Sequence, residues 1–346
     1  MFSQLVKNDV FFLSLATYKN DLFMSKNPSK ILEFYTSFNN VQEIITWLKE
    51  RPKGRAEIFE VDGDNDVIVV IPTADHNNEH SIRCKNEIFH GMRIIFVESA
   101  NFGDPYFSFS HNCNIGIKKA LEYNPKYIVW TNDDMLKIDD SKKLHFEVLN
   151  ILDKNPKAVF AKMNHQVSTP VRIIKFNLLG KLLLKIIKHS KLYKSIANNK
   201  TKYMPFVGVS NLRSKIIERY LKLSLYTKFK TSFFLSHSKF AITSVLFKGV
   251  YDFNNFDAFG ILQADYIRNQ GEVFDENLIV QHADQDLSLR YGLRSDEISW
   301  IDYSIEGIGR ATIKDNADER LRNIIADIYI DYKISVNQYK DLNILL

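Results

Sequence analysis

A doubly wound α/β sheet is the fold class this sequence predicts, and three observations predict it. Val67–Ile71, Met92–Val97 and Tyr127–Thr131 are short apolar runs rich in β-branched and aromatic residues, as expected of parallel strands buried on both faces. A helical stretch around Asn114–Tyr123 separates the last two runs, so strand and helix alternate. Each run stops at polar residues, Pro72-Thr73, Glu98-Ser99 and Asn132-Asp133-Asp134. Open sheets of this class bind their ligands outside the carboxyl ends of their strands.

In chain order, residues 1–62 read as an N-terminal extension. Within it, Val41, Ile44, Ile45 and Leu48 recur at helical spacing, which predicts a helix over Asn40–Lys49. The apolar run Val10–Ala16 follows Asp9 and has only Lys7 upstream, a poor match to a signal peptide. No stretch reaches the roughly 18 uncharged apolar residues of a transmembrane helix. Cys84 and Cys113 are too few for a disulfide framework and read as reduced thiols, so the expected location is cytoplasmic. The polar turn Asp62–Asp66 opens the main domain, expected over 63–310, and residues 311–346 are expected to be a helical C-terminal segment.

The third strand carries the chemistry. Its interior cannot hold unpaired carboxylates, because desolvating each costs several kcal/mol or more. Asn132, Asp133 and Asp134 therefore emerge at its carboxyl end. Adjacent carboxylates there suit a hard divalent cation that also holds a phosphate. A plain turn also uses Asn and Asp, so the triplet alone leaves both readings open.

The net charge of +5 hides an asymmetry. Lys154–Tyr251 holds twenty Lys and Arg against one acid, Glu218, a net +19 that leaves −14 on the rest of the chain. Such polarity points to an anionic partner: lipid, phosphorylated substrate or nucleic acid. The basic stretch lacks Arg-rich or Gly-aromatic RNA motifs, which disfavours nucleic acid. An insertion at about 170–203 interleaves Ile and Leu with lysines, and Lys181, Lys185 and Lys188 share one helical face. That predicts a basic, partly helical insertion. It would either lie in a membrane interface through residues 171–200 or pack on the body with its basic face in solvent. The first choice would make the protein peripheral at the inner face of the membrane.

Five segments, in order, resemble the family-2 glycosyltransferases, inverting enzymes of the GT-A fold, over roughly residues 66–310. Val69-Val70-Ile71-Pro72-Thr73 is similar to the family's opening strand and turn. Phe96–Asn101 stands where the family has a strand ending in Asp, and Asn114–Ala120 resembles its N-x-G-x-x-x-A helix. Asn132-Asp133-Asp134 resembles its metal motif in the N-x-D form of rhamnosyltransferase-like members. Phe274–Arg290 is similar to its FDE…EDxDLxxR segment.

The resemblance implies a GT-A-like mixed nucleotide-binding sheet flanked by helices and a metal-dependent inverting transfer. The sugar would move from a nucleotide-sugar donor to a glycan or lipid-linked acceptor. By the same resemblance Asp134 and Asn132 hold Mn²⁺ or Mg²⁺, and Asp284 is the general base. Pro72, Thr73, Asp75, Glu98, Asn114 and Asp133 bind the nucleotide sugar, with Asp133 facing either ribose or metal. Three positions depart from the pattern: Ala283 replaces a Glu, Glu98 replaces an Asp, and Glu306–Arg310 contains no His, although Arg310 could hold phosphate.

Asp286 and Arg290, spaced i, i+4, read as a helix pair. His76 and His80 read as surface loop residues, and Tyr251–Phe259, aromatic and polar together, as an acceptor-binding loop. Two rivals are a nucleotidyltransferase, disfavoured because Ile71–Ser81 contains no glycine, and a catalytically inactive module of the same fold that binds glycan or anionic membrane through its basic segment.

Overall fold

Eight strands form one mixed sheet and helices cover both of its faces. The computed structural model describes residues 17–99, 104–163, 170–176, 203–204, 232–236, 247–254, 256, 259–279, 282–291, 298–308, 317–336 and 338. The chain begins with helices α1 (residues 17–24), α2 (Pro28–Thr36) and α3 (Val41–Glu50), then strands β1 (Glu57–Val61) and β2 (Asp64–Thr73). Helix α4 (Glu79–Arg83) runs into a π turn, Cys84–Ile88, before β3 (Met92–Glu98), α5 (Phe109–Leu121) and β4 (Tyr127–Thr131). Next come β5 (Met135–Lys137), α6 (Ser141–Asn150) and β6 (Ala158–Met163). Strands β7 (Pro170–Phe176), β8 (Tyr203–Met204), β9 (Ser232–Ser236) and β10 (Phe247–Asn254) follow. The last elements are β11 (Phe259–Gln263), α7 (Ala264–Arg268), α8 (Ala283–Tyr291), β12 (Ile298–Gly307) and α9 (Ala317–Ser335).

The main sheet has the order β1-β3-β2-β4-β11-β6-β12-β5. Strand β2 pairs in parallel with β3 (Val69 opposite Ile94) and with β4 (Val69 opposite Val129), whereas β1 and β11 flank this trio antiparallel. The side-chain period of two divides the apolar runs between two cores. Ile68, Val70, Ile95, Val97, Ile128 and Trp130 face α1–α3, α5, α8 and α9. Val67, Val69, Ile71, Ile94, Phe96 and Val129 face the π turn and α6. Burial on both faces is why these strands are continuously apolar rather than alternating.

The predicted strands recur with small extensions, and β4 has the predicted bounds. The predicted helix at Asn40 is α3, held by a reciprocal cap: Asn40 Oδ1 accepts from Glu43 N at 3.0 Å while Glu43 accepts from Asn39 N at 3.1 Å. Helix α5 starts five residues earlier than predicted, where the Ser108 side chain caps His111 N.

The insertion expected over 170–203, basic and partly helical, begins as a strand: Pro170–Phe176 forms β7 in a separate four-stranded sheet ordered β10-β7-β9-β8. Val171, Ile173 and Ile174 are β-branched and favour a strand, and β9 and β10 supply ladder partners on both sides. Residues 177–202 lie outside the described residues. Among those described, no helix is long and apolar enough to cross a membrane.

The first helices share the core of the sheet. Phe34 packs against Phe23 and Trp47 at ring-centroid distances of 5.1 and 4.8 Å. Tyr35 Oη donates to Leu321 O of α9 at 2.7 Å, and Arg322 donates to Ser25 O at 2.8 Å. Strand β1, which comes before residue 62, is already part of the sheet. Buried Arg51 donates to Asn20, Tyr106 O and Pro105 O at 2.9–3.1 Å. Burial holds the Arg51 pKa down at about 10.

Gly116 lets α5 lie directly on the sheet. A Cβ there would come within 2.8 Å of Val97 Cγ2 and closer still to Val70 Cγ1. Gly116→Val is therefore expected to lower the stability by about 1–3 kcal/mol through overpacking, read as a reduced urea midpoint with an unchanged slope.

Candidate functional site

The chain leaves β2 for β3 on one side through α4, which lies on one face, and returns to β4 on the other side through α5, on the opposite face. The winding therefore reverses between β2 and β4, and in open sheets a ligand crevice falls beyond the carboxyl ends at such a reversal. Thr73 ends β2 there, and Asn132-Asp133-Asp134 follow Thr131 at the end of β4.

The structure brings several predicted site residues together there. Asp133 is 9% exposed, and its Oδ2 accepts from Thr73 Oγ1 at 2.8 Å and Asn78 Nδ2 at 3.2 Å. Asn78 is fixed in turn as the N-cap of α4, its Oδ1 accepting from Ser81 N at 2.8 Å. Cys84 Sγ donates to Asp133 O at 3.2 Å. Burial, reinforced by Asp133, pushes the Cys84 pKa up to about 12, so at neutral pH the thiol keeps the proton it donates. Asp134 is 6% exposed, and its carbonyl accepts from Ile308 N at 2.9 Å. Strand β12 arrives there in register, with Gly307 opposite Met135 and Glu306 opposite Leu136. The segment Glu306–Arg310 thus begins its course beside the acidic triplet; Arg310 itself lies outside the described residues.

Pro72 pairs with Val97, and Thr73 with Glu98, so Glu98 stands next to the turn after β2. Glu98 Oε2 accepts from His76 N at 3.1 Å and lies 2.7 Å from His76 Nδ1. The His76 ring stacks on Phe59 at 3.7 Å. His76 is therefore a partner of Glu98, a correction to its reading as a plain surface residue. The clue was the adjacency of β2 and β3, which places residue 98 beside the residues following 73. Asp75 Oδ1 accepts from Asn77 N at 2.8 Å. Asp75, His76 and Glu98 also bring three ligand atoms within 4.8 Å of one another, as do Asp64, Asp66 and His145 at the amino end of β2.

Asn114 Nδ2 donates to Phe274 O at 2.8 Å and its Oδ1 accepts from Phe274 N at 2.9 Å, which locks α5 to the segment leading into α8. Phe256 of the supposed acceptor loop is fully buried and stacks on Phe160 at 4.7 Å, so it is a core residue. Asp257 and Ala258 lie outside the described residues.

Asp284 stands half-buried in the first turn of α8, after His282 with φ of 65°, and its carbonyl accepts from Ser288 Oγ at 2.8 Å. Ala283, where the family pattern has Glu, is 2% exposed in the apolar core. A carboxylate there would be buried, which accounts for the small apolar residue.

The chain matches no protein-family model and no curated protein sequence.

Two residues after Asp284, Asp286 belongs to a largely buried group of four charges. Arg290 Nε bonds Asp286 Oδ2 at 2.6 Å, the expected helix pair. Lys333, 2% exposed on α9, adds bonds to Asp286 Oδ1 and, at 2.7 Å, to Asp275 Oδ2. Tyr329 Oη also donates to Asp275 Oδ2, at 3.0 Å. Burial raises the Asp275 pKa, but Lys333 and these donors outweigh it and hold the group below the usual carboxylate range. The stability this contributes is fully present above the unfolded pKa of about 3.9. It is lost as pH falls through the depressed folded value. Lys333→Met should cost about 3–5 kcal/mol at pH 7 by leaving a buried charge uncompensated. In urea titrations that deficit should shrink as pH falls below the ordinary carboxylate pKa.

Proposed function

We propose that the protein is a metal-dependent, inverting glycosyltransferase of GT-A-like fold, moving a sugar from a nucleotide donor to a glycan or lipid-linked acceptor. The observation that carries this reading is the joining of Thr73 and Asn78 to Asp133 at 2.8 and 3.2 Å, at the reversal of winding between β2 and β4. The donor set fits a hard divalent cation. Asn132, Asp133 and Asp134 offer oxygen ligands, and two of them are acids less than a tenth exposed. Asn132 and Asp134 would hold Mn²⁺ or Mg²⁺, which when bound supplies Lewis-acid neutralisation of the leaving diphosphate.

The protein's own groups account for the rest. Asp133, oriented by two neutral donors, is turned toward the ribose or the cation. Glu98, held by His76, offers a carboxylate to base or ribose N–H and O–H donors, beside Pro72, Thr73 and Asp75. Asp284 takes the proton from the acceptor hydroxyl as that oxygen attacks the anomeric carbon from the face opposite the diphosphate, and the configuration inverts. An anionic membrane surface remains the proposed partner of residues 171–200.

The test is a nucleotide-sugar binding and turnover screen with Mn²⁺ or Mg²⁺. One donor should bind only with metal, and Asp134→Ala should abolish that binding. Asp284→Asn should keep the binding and lose about 10²–10⁴-fold in kcat. Absence of binding to every nucleotide sugar with either metal would contradict the proposal.

A further inference from the structure

We infer that Lys333 is a positioning residue for Asp284, acting as the stop that sets the rotation of α8. The inference rests on the reading of Asp284 as the base and adds a device for aiming it. Asp286 follows Asp284 by two residues. At about 100° per residue their side chains therefore leave the helix on nearly opposite sides. Burial agrees: Asp286 is fully buried, whereas Asp284 is half-buried. A bond that pins Asp286 on one side of the helix thus fixes the direction of Asp284 on the other.

Lys333 Nζ supplies that bond and joins α8 to its entry segment by also holding Asp275 at 2.7 Å. The entry segment is rigidly tied to α5 through Asn114 and Phe274, through Ser110 Oγ to Leu278 O at 2.6 Å, and through Phe109 N to Ile279 O at 2.8 Å. Helix α9 is anchored at its other end by Tyr35 and Arg322 to the first helices. Lys333 therefore connects the N-terminal helices, through α9, to the helix bearing the base. This gives residues 17–50 a place in the proposed reaction, as the abutment of the brace.

Lys333→Met alone leaves an extra buried carboxylate and is expected to unfold more easily. Lys333→Met combined with Asp275→Asn removes one charge of each sign and leaves the Asp286–Arg290 pair intact. This double variant should recover the wild-type Tm yet turn over about 10–100-fold more slowly, since a displacement near 1 Å can cost that much. Its donor dissociation constant with Mn²⁺ should stay within about threefold of wild type, because only the transition state uses the base. Backbone amides of 283–291 should exchange about tenfold faster, as expected when local opening becomes easier. Wild-type kcat in the double variant, or unchanged exchange over 283–291, would overturn the inference. Should the wild-type protein turn over no nucleotide sugar, the proposed function fails by itself. The exchange measurement still decides the brace: faster exchange upholds it and unchanged exchange overturns it.

Discussion

Asp286 is a carboxylate held out of water and Asp275 is largely so, and Asp286 alone would cost several kcal/mol. Lys333 and Arg290 meet that cost from the last helix and from α8 itself. The bonds they make connect parts of the chain that are far apart in sequence, so the placement of α8 depends on the pairing of these charges. Asp133 is treated differently. Thr73 and Asn78, both neutral, orient its carboxylate without cancelling its charge. A negative group fixed in that way, just past the carboxyl end of β4, suits a cation. The contrast between the two settings separates acids that build the fold from the acid proposed to meet a cation.

The sheet delivers that acid to the carboxyl ends of β2 and β4. Three parallel strands buried on both faces must be wound with one helix on each side, and the switch in winding falls between β2 and β4. Close contact on one face depends on the missing side chain at Gly116. On the other face Cys84 from the π turn reaches the carbonyl of Asp133. Packing and site are therefore continuous: the residues that seat α5 and the π turn also hold the strand ends from which Thr73 and Asp133 project.

Much of this was legible in the chain before its structure. Strand β4, helix α3 and the Asp286–Arg290 pair follow from apolar patterning and spacing, which are local signals. The strand at Pro170–Phe176 carries no plain local signal, since its ladder partners lie more than 50 residues away. His76 looked like an ordinary loop residue because its partner, Glu98, is reached only once β2 and β3 are known to be neighbours. Asn114 stands out through its motif, whereas its bonds to Phe274 appear only in the fold. Lys333 carries no local mark, since its partners are 47 and 58 residues distant. Long-range charge pairing is what a single sequence conceals most completely.

A crystal structure with Mn²⁺ and a nucleoside diphosphate tests the central claim most directly, because anomalous scattering locates the ion independently of the protein density. The account predicts a manganese peak bound by Asp134 beyond the ends of β2 and β4, touching the diphosphate, with Asp133 still held by Thr73 and Asn78. A manganese peak at Asp75–His76–Glu98 or at Asp64–Asp66–His145, with no nucleotide in the crevice, would contradict it.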